Sequence, residues 1–407
     1  MKMLPIFKAH MGTSKRPGRT LRYEYTTHNI VRHIPGGKAY FSFLEELINS
    51  ATHTIHLQVY IFTYDETGAR IVDAMTKALG RGVQVYLLVD GYASQHLPGS
   101  FEKEMADRGI HFRMFEPLFK SSDFYFGRRL HHKITVVDHV KALIAGINID
   151  NKYNDMPEKP GWLDMGVYTE GEAALQLADI CCEMWNAGLN KTTRAHAPSY
   201  AQYESLLAPY KDNHCEVRVR RNDWVRRRQQ IRHSYIQMLN HAQDEMIIMS
   251  SYFLPGKTFR GRMEAAVKRN VKLKVVLAGP SDVMLAKHAE RFLYDWLLQN
   301  NVEVYEHRNI VHAKVAVADM QVVTIGSFNF NDISTYASIE LNLDIKDKTF
   351  VSGIHKELNR IIEQECVQIT REDYTHTNSF WKRLRQRIAY NLVKWMLTLV
   401  TFYYRQR

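Results

Sequence analysis

The sequence predicts an α/β protein of two tandem domains, each a mixed sheet flanked by helices, packed face to face around one site. Three observations predict it. Eighteen residues occur twice in one register, strand-like and helical stretches flank each copy in the same order, and 407 residues exceed one ordinary domain. "HHKITVVDHVKALIAGIN" starts at His131 and "HAKVAVADMQVVTIGSFN" at His312. That displacement also relates Lys133 to Lys314, Asp138 to Asp319 and Asn148 to Asn329.

Taken in order, residues 1–22 form a basic extension without the apolar core of an export signal, so no export is expected. Residues 23–190 form the first domain. A helix near Ala39–Asn49 leads into a strand within "THTIHLQVYIF", then come a helix, the apolar strand "GVQVYLLVDG", another helix and the strand "GIHFRMFE" before the first repeat. Residues 191–213 are polar, hold two prolines and suit a linker. Residues 214–373 restate the order with a helix near Gln229–Ala242, then "QDEMIIMSSYFL", "NVKLKVVLAG", "NVEVYEH" and the second repeat. Strands alternating with helices place helices on both faces of each sheet.

In the tail, residues 374–407, Trp381, Leu384, Ile388, Leu392, Trp395, Leu399 and Phe402 recur every three or four positions and predict an amphipathic helix, with Lys382, Arg383, Arg385 and Arg387 beside the stripe. Such a helix either docks on its own domain or lies in a membrane interface. Its basic face and its Trp and Tyr residues favour peripheral membrane contact, because the uncharged run from Trp395 to Tyr404 is too short to span.

A hydrophobic share of 45% with 24% charged residues excludes a disordered chain, and the net charge of +11 points to an anionic partner, nucleic acid or acidic lipid. Cys181, Cys182, Cys215 and Cys366 offer neither CxxC spacing nor a disulfide framework, which suits a reducing cytoplasm. Without HExxH or a Cys/His ligand set, no catalytic metal and no cofactor are expected. "LPGKT" at Leu254–Thr258 imitates a phosphate-binding loop but has Ser251 where the first glycine belongs. "RVRRNDWVRRRQQIR", Arg218–Arg232, reads as a solvated face or as a phosphate contact.

Strand alternation puts His131 and Lys133 on one face, with His312 and Lys314 their equivalents, and turns His132 the other way. One copy alone would be an ordinary basic strand entrance. Two copies supply two imidazoles, whose pKa near ~6.5 lets one act as neutral nucleophile and the other as acid, and two ammonium groups suited to phosphate oxygens.

The repeated HxKxxxxD followed by a small-x-Asn turn, with Gly146 and Asn148 in one copy and Ser327 and Asn329 in the other, resembles the phospholipase D superfamily. The likeness runs from about Gly36 to Asp347. "YIF", "YFLPG" and "GSFNFND" are similar to bacterial cardiolipin synthases of the kind lacking N-terminal transmembrane helices. The resemblance implies metal-free, two-step phosphoryl transfer through a phosphohistidine, with His131 as nucleophile and His312 as acid and then base. It implies that Lys133, Lys314, Asn148 and Asn329 hold the phosphate, and that an acid after each motif, Asp164 and Glu340, orients a histidine. The resemblance also places Asp138 and Asp319 in the catalytic motif set, although at the far strand ends they are expected to pair structurally with basic groups. Gly146, Ile333 and Ser338 depart from the pattern of many relatives and bear on substrate. The expected partners are anionic phospholipids such as phosphatidylglycerol, with phosphatidylethanolamine a further candidate, at the cytoplasmic face of the inner membrane. A phospholipase or phosphatidylserine synthase, a nucleic-acid phosphodiesterase, and a lipid-binding protein with vestigial motifs are the alternatives.

Overall fold

A computed structural model describes residues 24–117, 128–189, 194–331, 334–335 and 338–405; the basic extension of residues 1–22 and position 333 lie outside them. The first half contributes β1 (Asn29–Pro35), β2 (Thr54–Val59), β3 (Gln84–Asp90), β4 (His111–Phe115), β5 (Arg129–Leu130), β6 (Lys133–Val137), β7 (Lys141–Ala145) and β8 (Met165–Gly171). Seven of these form a sheet in the order β1-β8-β7-β6-β2-β3-β4. Its β2, β3 and β4 run parallel and the other pairs antiparallel.

The second half contributes β9 (Val217–Asp223), β10 (Arg228–Gln229), β11 (Glu245–Ser250), β12 (Lys272–Ala278), β13 (Glu303–His307), β14 (Lys314–Ala318), β15 (Val322–Gly326), β16 (Ser338–Ile345) and β17 (Cys366–Ile369). Their order is β10-β9-β16-β15-β14-β11-β12-β13-β17. Without β10 and β17 it matches the first sheet strand for strand, so the repeat in sequence is a repeat in structure. Helices Lys38–Asn49 and Gln230–His241 lie where the periodicity put them, and residues 191–213 include a helix, Tyr200–Leu207, closed by a capping box of Ser199 and Gln202.

The inner faces of the two sheets share one core. Ile134, Val136, Ile144 and Val167 of the first sheet join Val315, Val317, Ile325 and Leu341 of the second, with Leu177 and Ile354 from helices Glu172–Trp185 and Lys348–Glu365. Each such side chain stabilises by about 1.5–3 kcal/mol, which locks the halves face to face. The outer faces close separately under their own helices, Ile71 and Met75 covering one sheet and Tyr235 and Met263 the other.

Two surface features differ from the sequence reading. Arg218, Arg220 and Arg221 lie on β9 beside β16, where burial forces them onto carboxylates: Arg218 and Arg220 pair with Asp344, and Arg221 with Glu183 and Asp223. This end of the arginine cluster is therefore structural, neither a solvated face nor a phosphate contact. The tail helix, Phe380–Arg405, does two things at once. It docks through Gln386, Ala389 and Tyr390, whose ring stacks on Phe292 at 4.7 Å, while Trp381, Leu384, Ile388, Leu392 and Trp395 stay exposed. The side chains of Leu399 and Phe402 lie outside the described residues. Among those described, no helix is long and apolar enough to cross a membrane.

Candidate active site

Backbone pairing between the halves sets the site. β5 runs parallel to the start of β16, and the His131 amide donates to the Ile339 carbonyl at 3.0 Å. In the mirrored position the His312 and Ala313 amides donate to the Leu163 carbonyl at 2.7 and 3.0 Å. Each histidine is thus pinned beside the residue that precedes a buried acid. Glu340 follows Ile339, and Asp164 follows Leu163.

His131 Nδ1 lies 2.9 Å from Glu340 Oε2, and His312 Nδ1 lies 2.7 Å from Asp164 Oδ2. Spacing along the chain reads each acid as belonging to the motif it follows; the structure attaches it to the other motif's histidine. With Nδ1 tied to a carboxylate, Nε2 is the nitrogen left for chemistry in both rings. The lysines fold back on the same face, Lys133 Nζ donating to the His131 carbonyl at 2.6 Å and Lys314 Nζ to the His312 carbonyl.

The two carboxylates are held differently. Ser327 Oγ donates to Glu340 Oε2 at 2.6 Å. Its counterpart is Gly146, where an added Cβ would meet the Asp164 carboxylate oxygens at 2.6 and 2.8 Å. A serine there would displace the shorter acid, so glycine in one copy goes with aspartate and serine in the other goes with glutamate. Ser338, the other departure from the pattern within the described residues, is buried where β16 meets β5.

Burial dominates the electrostatics. It lowers the pKa of His131 against the opposing pull of Glu340, and with help from Lys314 pushes His312 down to about 3 despite Asp164. Desolvation also pushes Lys133 down to about 7 and Lys314 to about 8. Lys314 acts on His131 and Lys133 on His312, so the two motifs form one electrostatic centre. A cluster of groups whose charged forms burial disfavours is chemically suited to an anion, which would favour those charged forms.

Asn148 is tied at both ends, its Oδ1 accepting from the Ile61 amide at 3.0 Å and its Nδ2 donating to the Tyr153 hydroxyl at 2.8 Å. Asn329 accepts from Ser251 Oγ at 2.7 Å. Asp138 and Asp319 are not brought to the centre. Five residues of strand, about 17 Å, separate each from its motif lysine. Nor do they pair with basic groups. Asp138 accepts from the amides of Thr52, His53 and Thr54, and Asp319 from those of Gln243, Asp244 and Glu245, because these amides emerge unpaired where a helix hands over to a strand. Both aspartates sit at positive φ, 48° and 51°, a conformation their short polar side chain tolerates.

Aromatic residues pack against both imidazoles. Tyr60 packs edge-on to His131 at 4.7 Å, and Tyr153 and Trp162 lie 4.9 and 6.0 Å from His312. Tyr60 falls inside "YIF"; Tyr153, which ends the short 3-10 helix Asn151–Tyr153, and Trp162 in the loop beyond it have no spacing to signal them. His132 points away, its Nε2 2.9 Å from Gln58 Oε1 in the core. Among the described residues, no group of three or more His, Cys, Asp and Glu side chains is placed to hold a metal ion.

Comparison with known proteins gives the family and the fold. The family model described as "Cardiolipin synthase, PLD-like domain" matches residues 44–174 and 235–362, one match in each half. Cardiolipin synthase B of Shigella flexneri is 29% identical over 385 residues, covering 91% of this chain and 89% of that protein. A cardiolipin synthase of Oceanobacillus iheyensis is 26% identical over 86% of this chain and 72% of its own. Among solved structures, phosphatidylserine synthase of Haemophilus influenzae superposes with a TM-score of 0.71 at 16% identity, covering 95% of this chain and 98% of its own. Polyphosphate kinase of Porphyromonas gingivalis shares the fold at a TM-score of 0.56 and 13% identity, with 91% of this chain and 52% of that one covered. With one match in each half, and each match containing one copy of the repeated motif, the chain belongs to the PLD-like domain family of cardiolipin synthases.

Proposed function

We propose that this protein is a phosphatidyltransferase that makes cardiolipin, taking a phosphatidyl group from phosphatidylglycerol and passing it to a lipid hydroxyl. The observation that carries the reading is the convergence of two Nδ1-anchored imidazoles and two buried lysines from opposite halves on one centre. His131 Nε2 attacks phosphorus, forming an N–P bond as the bond to the headgroup oxygen breaks, and His312 protonates the departing alkoxide. His312 then takes the proton of the acceptor hydroxyl, whose oxygen attacks phosphorus and breaks the N–P bond. Lys133 and Lys314 hold the non-bridging oxygens, joined by Asn329, while Asn148 positions the loop through Ile61 and Tyr153. Burial is the main cause of the lowered His312 pKa, and a phosphodiester between the lysines offsets the added repulsion of Lys314 and Lys133 and so favours the protonated, acid form. The exposed stripe of the tail helix supports a lipid rather than a nucleic-acid substrate, with the protein attached peripherally to the cytoplasmic face of the membrane.

The test is mass spectrometry of lipids after incubating the enzyme with phosphatidylglycerol vesicles, with and without phosphatidylethanolamine and without added metal. Cardiolipin is expected from the intact chain and from neither His131→Ala nor His312→Ala, each folded as the parent by circular dichroism. Phosphatidic acid alone would make water the acceptor and the protein a phospholipase. Turnover retained in either variant would remove the two-histidine mechanism.

A further inference from the structure

The turn before helix Met284–Phe292 has two faces with opposite chemistry. On one side Asp282 accepts a 2.7 Å hydrogen bond from the Tyr252 hydroxyl, and both line, with Ser281, Lys287 and Glu290, a recess that reaches His312. That side is fixed. Tyr252 is held at φ 50°, its carbonyl accepting from Asn331 Nδ2, and Lys287 is clamped by Glu290 and Glu306 at 2.9 and 2.8 Å. On the other side Val283, Met284 and Leu285 are 44%, 59% and 36% exposed, three consecutive apolar side chains at the mouth of a polar site. Isolated exposed apolar residues need no explanation, but a contiguous group does.

We propose that Val283–Leu285 is a second membrane contact, a lip that seats the mouth of the site on an anionic bilayer; this rests on the lipid reading above. The same short helix connects it to the first contact. Helix Met284–Phe292 begins at the lip and, about 13 Å on, ends at Phe292, on which Tyr390 of the tail helix stacks. The tail carries the other exposed apolar group, Trp381, Leu384, Ile388, Leu392 and Trp395. Two apolar patches on one packed pair of helices give a plane of attachment rather than a single tether. The charge suits an anionic surface, since no acidic residue occurs from Tyr374 to Arg407 while Lys382, Arg383, Arg385, Arg387 and Lys394 do. In the pseudo-equivalent turn of the first half, after β3, Tyr92 is similarly exposed. A lipid whose acyl chains stay among Val283, Met284 and Leu285 needs to lift only its headgroup to reach His312.

The test compares the parent with a triple variant, Val283→Ser, Met284→Ser and Leu285→Ser, in the full chain. Vesicle affinity, measured in a His131→Ala background so that it does not depend on turnover, is expected to fall about tenfold for phosphatidylglycerol vesicles. In the otherwise intact enzyme, turnover of vesicular phosphatidylglycerol should fall in proportion, and turnover of a short-chain analogue below its micelle concentration should not. A fluorophore on Met284→Cys should shift to shorter wavelength with vesicles and be quenched by brominated acyl chains, which tests insertion without the triple change. Unchanged vesicle affinity and no quenching would overturn the proposal. Loss of self-association with unchanged vesicle binding would assign the patch to a second copy of the chain, and equal loss of both activities would make it part of the headgroup site. If the intact enzyme processes no lipid at all, the proposed function fails while the affinity and quenching results still decide the lip.

Discussion

At the scale of single residues the site trades stability for charge. Lys133 is fully enclosed and its pKa falls from the ordinary 10.5 to about 7. Below pH 7 the folded and unfolded chains both hold the proton, and the cost of burying it stands in full. Between pH 7 and 10.5 the unfolded chain binds more protons, so stability rises with pH. The melting temperature should therefore climb between pH 7 and 9, and Lys133→Met should start higher, climb less and be inactive; identical pH slopes would refute the assignment. Activity should move oppositely. As Lys133 and Lys314 lose charge through about 7 and 8, KM for the lipid phosphodiester should rise more than kcat falls, measured by initial rates across that range.

At the scale of elements, Asp138 and Asp319 anchor a strand end to the start of its neighbour. Burial would raise the Asp138 carboxyl, but the amides of Thr54, Thr52 and His53 outweigh it and hold its pKa below the ordinary value. Its contribution is present above the unfolded carboxylate pKa and is lost as pH falls through the lower folded one. Asp138→Ala should cost about 1.5–3 kcal/mol in urea denaturation near neutral pH while leaving kcat within a few-fold. A loss of turnover like that of His131→Ala would return this residue to the chemistry. Much at this scale was legible: the eighteen-residue repeat located β6, β7, β14 and β15, and alternation separated His131 from His132. The partners of Asp138 were not, because backbone amides leave no mark in a sequence. Nor did composition show that Arg220 and Arg221 are buried, since a run of arginines reads alike on a surface and against Asp344 and Glu183.

At the scale of the whole molecule, the halves meet through apolar packing and a buried ion network. Asp223 binds Arg221 at 3.1 Å and reaches across to Arg128 of the first half at 3.2 Å, while Arg221 also meets Glu183 of that half at 3.0 Å. Removing Asp223 takes away the carboxylate shared by two enclosed guanidinium groups, leaving Glu116 on Arg128 and Glu183 on Arg221. Asp223→Ala should cost about 3–5 kcal/mol and split one unfolding transition into two, seen by calorimetry, with the halves losing cooperativity. A single unshifted transition would show the apolar core alone to be sufficient. Proximity in sequence assigned each acid to its own motif because the true partners are separated by 209 and 148 positions. The pairing of β5 with β16, and of Leu163 with Val311, brings them together.

That crossing also sets a schedule for synthesis. When His131 leaves the ribosome, the carboxylate that orients it has not been made; at about 5–20 residues per second Glu340 follows roughly 10–40 s later. The first half alone therefore carries an imidazole without its carboxylate partner. On the proposed two-histidine mechanism, a chain interrupted before His312 and Glu340 is expected to be inactive, and turnover by such a truncated product would contradict it.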